Sequence, residues 1–432
     1  MTAAAGHRVV PAGTGTVPLA RNRGFRRLWF GEGVSVLGNA TTSVLLPLVA
    51  VLELDAGAAV VGLLTAAAWL PWLVIGLPAG AWVDRLPARA VMIAADLVAA
   101  VAIGSVPVAA ALDALTLPHL VGAALAAGVS TVFFRTAYIV LLPQVVPDEQ
   151  LEAANARLLG TESGMQVAGP GIGGAMAQAL GAAAGLALDA ASFLVSALCL
   201  WRVRPVRRPE RPPTAPLRVR IREGVAFVAS DRYLRWFVVV GGISNFGLTG
   251  YTALLVLFLV DTVGLGPSAL GVVMTVGACG GLLGATVATW LSRRLGSARA
   301  TVLLIVAGGP PALLVGLGGG GARVAWTVAG LFLVGLAVVS GNVLRGAWRQ
   351  RYVPQPLMGR VVTTSQFVNF GTMPLAGLAA GALGEVLGVR ETVLLMAAVH
   401  CAACLSALRS PLRGLREMPA PREMPRVVTP SR

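Results

Sequence analysis

Three groups of residues have types and spacings that could do chemistry. Gly169-x-Gly171-x-x-Gly174 has the spacing of a dinucleotide-binding loop, and Asp189 stands near the offset at which such folds hold a ribose hydroxyl. His400-Cys401-x-x-Cys404 has the elements of a metal or haem motif. Glu32, Asp96, Arg135 and Glu162 are ionisable groups set in otherwise apolar stretches. The first two fail on context. Haem attachment needs the histidine after the second cysteine, and zinc needs a second ligand pair. The residues before Gly169, DEQLEAANARLLGTESGMQV, have a helical pattern where a dinucleotide fold needs a strand. The glycines can instead let helices approach closely and, with Pro170, loosen a helix locally. Neither a metal nor a cofactor is expected.

The elements that must position these groups are membrane spans. The chain has 432 residues, of which 56% are hydrophobic and only 12% charged. A soluble domain carries roughly 25% charge. Apolar stretches near twenty residues recur, each long enough to cross a hydrocarbon core of about 30 Å as a helix. Twelve are expected, at about 28–51, 58–82, 89–111, 118–142, 160–181, 185–202, 235–260, 268–291, 300–318, 324–345, 361–383 and 391–408. Cys199, Cys279, Cys401 and Cys404 all fall within apolar runs, which argues against disulfides. The polar N-terminal stretch before the first run lacks the form of a cleavable signal.

All 34 basic residues are arginine, and they sit in short segments between the runs. The net charge of +15 therefore reads as membrane topology and not as a nucleic-acid surface. With the N-terminus in the cytoplasm, every arginine except Arg135, Arg323 and Arg390 falls on the cytoplasmic side. Both termini are then cytoplasmic, and the chain is a multi-pass protein of the cell membrane.

The halves resemble each other. Trp82-Val83-Asp84-Arg85 matches Trp290-Leu291-Ser292-Arg293, Leu28-Trp29-Phe30 matches Arg235-Trp236-Phe237, and Val146-Pro147 matches Val353-Pro354, all at offsets of 207–208. Six spans per half insert both halves the same way up. The expected fold is an all-α membrane protein with twelve transmembrane helices in two pseudo-symmetric six-helix bundles. Its parts are an N-terminal tail (1–27), an N-terminal bundle (28–202), an Arg/Pro-rich linker (203–232), a C-terminal bundle (233–408) and a C-terminal tail (409–432) that reads as disordered.

Three stretches resemble the major facilitator superfamily, in particular its bacterial efflux branch of macrolide and siderophore exporters. Gly80-Ala-Trp-Val-Asp84-Arg85-Leu-Pro-Ala-Arg89 is similar to the signature loop between the second and third helices. Phe134-Arg135-Thr-Ala-Tyr138 through Leu142-Pro143-Gln-Val-Val-Pro147 and Ala154-Asn155-Ala156 is similar to the connection between the fourth and fifth. Gly169-Pro170-x-x-Gly173-Gly174 looks like the core of the fifth-helix motif associated with exporters. Pro87 stands where the signature loop usually has glycine, and Met165 stands where the fifth-helix motif has a further one.

The resemblance implies an inner latch made of Gly80, Asp84, Arg85 and Arg89, whose carboxylate bonds the N-terminus of the eleventh helix near Arg360. Ordinary loop charge that sets orientation is the alternative. Glu32, Asp96, Arg135 and Glu162 fall at similar depth, and two readings stay open: charges that exchange partners as the bundles rock, or a static network. A proton carrier must be a carboxylate that burial keeps titratable in the working range, with Glu32 the first choice and Glu162 the second. Asp189 reads as a cap at the start of the sixth span. The fold brings Asn39, Tyr138, Asn245, Tyr251 and Asn342 to the substrate cavity, while Trp69 and Trp72 face either cavity or lipid.

The reading is a secondary transporter that exports an amphipathic or hydrophobic small molecule, such as a drug, antibiotic or siderophore, against protons by alternating access. Proton-coupled uptake is the alternative within transport. A membrane-embedded enzyme is disfavoured, since none of the three histidines sits near paired carboxylates, and Cys401 and Cys404 beside His400 lack the spacing of a metal or haem site. A sensor or scaffold would carry an appended soluble domain. The expected partners are a small-molecule substrate, protons and lipid, with no nucleic acid, and the chain is expected to work as a monomer.

Overall fold

The computed structural model describes residues 18–204 and 217–420. Among them the chain is all-helical. The N-terminal bundle comprises α1 (Arg23–Glu53), α2 (Ala58–Val74) and α3 (Gly76–Val83), α4 (Ala88–Ala111), α5 (Leu117–Val145), α6 (Leu151–Leu180) and α7 (Ala182–Trp201). A connecting helix, α8 (Leu217–Ser230), leads to the C-terminal bundle. That bundle comprises α9 (Arg232–Ala253) and α10 (Leu255–Leu257), α11 (Pro267–Leu295), α12 (Ser297–Gly308) and α13 (Pro311–Leu317), α14 (Val324–Tyr352), α15 (Gln355–Leu387) and α16 (Val389–Leu405).

Three of the twelve crossings are broken: α2–α3 at Ile75, α9–α10 at Leu254 and α12–α13 around Pro310. Among the described residues, nine segments are long and apolar enough to cross a membrane unaided, and α9–α10 makes a tenth with a 40° bend. The other two crossings, α2–α3 and α6, are shortened by the break or diluted by polar residues. They can cross because both pack closely on neighbouring helices, α2 on α15 and α5, and α6 on α1 and α11.

The repeat extends to local geometry. Asn22 caps α1 by accepting from the Phe25 amide, and its Nδ2 donates to the Val145 carbonyl at the end of α5. Asp231 caps α9 by accepting from the amides of Tyr233 and Leu234, and it accepts from the Tyr352 hydroxyl at the end of α14. The hairpins α6–α7 and α15–α16 each turn on a left-handed glycine, Gly181 at φ 90° and Gly388 at φ 97°. A side chain would strain either turn.

The bundles are packed unequally at their two ends. At the end opposite the termini, one hydrophobic core runs across both bundles and joins Val44–Val51 of α1 and Val61 of α2 to Leu254–Leu259, Leu270 and Ala380. At the end bearing the termini, each bundle has its own core. One is built on Phe25, Leu28, Met92 and Leu141, and the other on Leu234, Trp348 and Tyr352. No core among the described residues bridges the bundles there. The protein is therefore closed at the far end and open toward the termini.

Two helix pairs make the far-end closure. Along α2 and α15, an added Cβ on Gly62 would lie 2.4 Å from the Gly377 carbonyl and 2.6 Å from Gly381 Cα. Along α6 and α11, one on Gly174 would lie 2.4 Å from the Pro267 carbonyl and 2.8 Å from Gly271 Cα. Small residues are what let backbones meet where lipid supplies no hydrophobic drive. The α2–α15 seam reaches an aromatic group near the middle of the membrane, where the Trp69 and Trp72 rings lie 5.6 and 5.1 Å from Phe370.

Two segments expected as plain connections are structured. The second half of the 203–232 linker folds as α8, which packs on α15. The stretch expected as a disordered tail docks back onto the termini end as far as residue 420. Glu417 accepts from the Ser297 amide and hydroxyl at the start of α12, and the Trp348 indole donates to the Pro419 carbonyl. Residues 1–17, the arginine-rich first half of the linker and the end of the tail lie outside the described residues.

Candidate functional site

The charged residues meet inside the N-terminal bundle. α1 begins at Arg23 and α6 at Leu151, both earlier than expected, so Glu32 and Glu162 lie deeper than one turn into their helices. At 1.5 Å per residue, Glu32, Asp96, Arg135 and Glu162 all stand about 12–17 Å from the termini end of their helices. That common level is what lets four helices bring them together.

Glu162 and Arg135 form an ion pair with a closest approach of 2.5 Å. Gln166, one turn along α6, lies 3.4 Å from the same carboxylate. Glu32 is buried within electrostatic reach of Arg135 and Glu162. Asp96 is buried beside Ser196 of α7, within reach of Glu32. The Tyr138 phenol faces the same group from α5. Glu32 Oε2 and Asp96 Oδ2 are fully buried and have no hydrogen-bond partner among the described residues.

A cavity of about 420 Å³ opens among these groups. Glu32, Asp96 and Arg135 supply its charge, while Asn39, Ser130 and Gln166 add neutral polar groups. Val36, Ala99, Phe134 and Phe193 supply its apolar wall. The size is typical of a small-molecule pocket. A wider groove of about 610 Å³ between α11 and α14 is lined by Val276, Ala325 and Leu333 and by no charged side chain, and it opens on the apolar flank of the C-terminal bundle.

The other expected residues are distributed as follows. Asn39 and Tyr138 belong to this site or its edge. Asn245 donates to Asn369 Oδ1 of α15 at 3.1 Å, and Asn342 accepts from Arg345 at 2.6 Å, so both sit in polar pairs of the C-terminal bundle. Tyr251 is a correction: it is only 1% exposed, inside the core that closes the far end, and is not among the residues that line either of these two cavities.

Asp189 is a second correction. α7 starts at Ala182, with Gly181 at its cap, so Asp189 lies about two turns inside the helix and caps nothing. It accepts from the hydroxyls of Thr42 on α1 and Ser192, and a Cβ on Gly38 would fall 2.0 Å from its Oδ1. It ties α1 to α7 behind the cavity.

The fifth-helix glycines divide their work. Gly169 and Gly173 face Ala40 and Thr41 of α1, while Gly171 and Gly174 face α11 across the bundle interface. Among the described residues, the inner-latch side chains make no hydrogen bond or ion pair to the other bundle. Asp84 and Arg85 are exposed, a Cβ on Gly80 would meet nothing within 4 Å, and Arg89 donates to Val203 of its own bundle. Arg360, the expected neighbour of the latch, is paired with Glu223 of α8. In this state of the protein, open toward the termini, the loop and its expected partner are apart.

No group of three possible metal ligands occurs among the described residues. The His400 ring lies 3.0 Å from the Ser244 hydroxyl and 3.6 Å from the Cys404 sulfur, in the core of the C-terminal bundle.

Sequence reasoning missed Arg345 and Glu385 as structural groups. Arg345 was assigned to the end of its span, but α14 continues to Tyr352 and places it about two turns inside. Glu385 accepts from the Ala59 amide of the other bundle, a contact that no local pattern signals.

Known proteins give a consistent comparison. The chain is 28% identical to the multidrug efflux pump Tap of Mycolicibacterium fortuitum over 376 residues, which cover 83% of this chain and 88% of that protein. It is 22% identical to macrolide efflux protein A of Streptococcus pyogenes over 407 residues, covering 90% and 97%. Its fold superposes on a point mutant of the nucleoside transporter NupG with a TM-score of 0.75 at 10% identity, covering 89% of this chain and 99% of the other. The family profile described as Major Facilitator Superfamily matches residues 28–376. With its two six-helix bundles, the chain belongs to the Major Facilitator Superfamily.

Proposed function

We propose that this membrane transporter exports an amphipathic or hydrophobic small molecule in exchange for protons, by alternating access. The observation that carries the reading is the cavity in the N-terminal bundle. Its carboxylates, Glu32 and Asp96, are buried, each with one oxygen that has no hydrogen-bond partner among the described residues, on the open side of a two-bundle protein whose far end is closed. Buried carboxylates that can gain and lose protons are what coupling needs, and the efflux names of the two relatives support the direction.

The arginine asymmetry supports placing both termini in the cytoplasm and the protein in the cell membrane. The open cleft then faces inward, ready to load from the cytoplasm or the inner leaflet. Outward opening would separate the glycine seams α2–α15 and α6–α11 and bring Asp84 toward the start of α15, where the helix N-terminus favours a carboxylate. The chain works as a monomer in this scheme, since both bundles that form the pathway are its own.

The test is transport in inside-out vesicles with an imposed pH gradient and a panel of neutral and charged amphipathic compounds. Uptake that collapses when a protonophore removes the gradient, and in Glu32→Gln, supports the reading. Movement at an unchanged rate without the gradient refutes proton coupling.

A further inference from the structure

We propose that Glu385 is a far-end latch: from the C-terminal bundle it completes the N-terminal cap of α2 in the other bundle, and so stabilises only the state in which the far end is closed. This rests on the alternating-access reading above and names a residue that sets the balance between its two states.

α2 needs a partner from outside itself. The first amides of a helix have no acceptor within it, and a side chain at the N-cap ordinarily bonds the second or third of them. The N-cap of α2 is Gly57, which has no side chain to offer, and the first turn holds no acidic residue. Glu385, near the end of α15, accepts from the amide of Ala59, the second residue of α2, at 2.8 Å. Its carboxylate stands where a side chain at the cap would stand, since a Cβ on Gly57 would lie 2.7 Å from Glu385 Oε1. There it also faces the positive end of the helix dipole.

The reach of Glu385 follows from the seam beside it. Gly377, Gly381 and Gly384 recur along one side of α15, and all three meet α2. A Cβ on Gly381 would lie 3.1 Å from the Ala58 carbonyl, and one on Gly384 would lie 2.5 Å from the Ala58 Cβ. With the backbones this close, the next residue of α15 carries its carboxylate to the first turn of α2.

The same arrangement occurs within the N-terminal bundle, with a different consequence. The N-cap of α7 is Gly181, and Glu53 at the end of α1 accepts from the amide of its second residue, Ala183, at 2.9 Å. α1 and α7 belong to one bundle, so rocking leaves that contact intact. Glu385 crosses the boundary between bundles, and its contact breaks when the far end opens. Gly57 and Glu385 are both exposed, so water takes up the freed groups and the latch can release. The contact mirrors the one expected of Asp84, at the other end of the α2–α3 crossing. One pair of helices then carries a carboxylate at each end, and each serves the partner's N-terminus in the opposite state.

The test is the distance distribution between spin labels on far-end loops of the two bundles, in the full-length protein in lipid, without substrate or gradient. Glu385→Ala should move the closed-to-open ratio about 2–5-fold toward open, and its exposure means that the core stays intact. Glu385→Gln, which keeps an acceptor but loses the charge, should move the ratio less. Gly57→Asn, at a φ of −74° open to any residue, gives α2 a cap of its own in both states and takes the place of the Glu385 carboxylate. It should move the ratio as Glu385→Ala does, and the double variant should move it no further than either alone. Glu53→Ala removes a cap within one bundle and should leave the ratio unchanged. No movement in Glu385→Ala, movement toward closed, an equal shift in Glu53→Ala, or additive shifts in the double variant overturns the latch. The outcome separates from that of the vesicle assay. Gradient-independent transport refutes proton coupling and leaves these distances as they are, whereas an unmoved ratio refutes the latch and leaves the transport result as it is.

Discussion

Replacement of Gly174 by alanine should force the far end open. Its added methyl would sit 2.4 Å from the Pro267 carbonyl and 2.8 Å from Gly271 Cα, where ordinary contact begins at about 3.4 Å. Both neighbours are backbone atoms, so no side chain can rotate away and α6 and α11 must part by about 1 Å. Overpacking of this kind costs about 1–3 kcal/mol. Opening the far end relieves the clash, so the cost falls on the closed state and shifts the closed-to-open ratio by about 5–150-fold. Gly171→Ala should shift it less, because its methyl meets a movable Thr275 hydroxyl at 2.7 Å. Gly164→Ala, on the same helix with nothing within 4 Å, controls for the higher helix propensity of alanine. The assay is the distance distribution between spin labels at Asp113 and Ala322, on far-end loops of the two bundles, with the four native cysteines replaced. An unchanged distribution in Gly174→Ala, or an equal change in Gly164→Ala, refutes the reasoning.

The ion pair of Arg135 and Glu162, partly open to solvent, should show a coupling near 1 kcal/mol in a double-mutant cycle of Arg135→Met and Glu162→Gln, read by denaturant unfolding in detergent. Asp189→Leu should destabilise by about 1–3 kcal/mol, because it strands the hydroxyls of Thr42 and Ser192, and a thermal melt reads it. The Ser297 hydroxyl and amide hold the Glu417 carboxyl below its ordinary range. A depressed pKa stabilises above the unfolded value and is lost as pH falls, so the docked tail should loosen below about pH 4. Acrylamide quenching of tryptophan fluorescence, compared with a chain truncated before Arg416, should rise there as Trp348 is uncovered; quenching independent of pH refutes it.

The sequence alone determined the architecture, for a physical reason. Burial in hydrocarbon demands long apolar helices, and loop arginines resist translocation, so spans and their alternation are written in local composition. The repeat was legible in the same way, and so was the cluster of Glu32, Asp96, Arg135 and Glu162, because charge in an apolar run is rare enough to stand out. The dinucleotide reading of the glycines could also be dismissed from the flanking pattern. Other features depend on what lies across the gap between helices, which composition does not record. Helix starts at Arg23 and Leu151 extended through polar residues because tertiary contacts supported them, and this set the depth of Glu32 and Glu162. Asp189 became a buried tie because Gly38 leaves room for it on α1. Tyr251 went into the closed far-end core, and Asp84 stood apart from α15, because the bundles are packed at one end only. Which end is closed is a difference between two packings of the same helices, and only the three-dimensional contact between the bundles decides it.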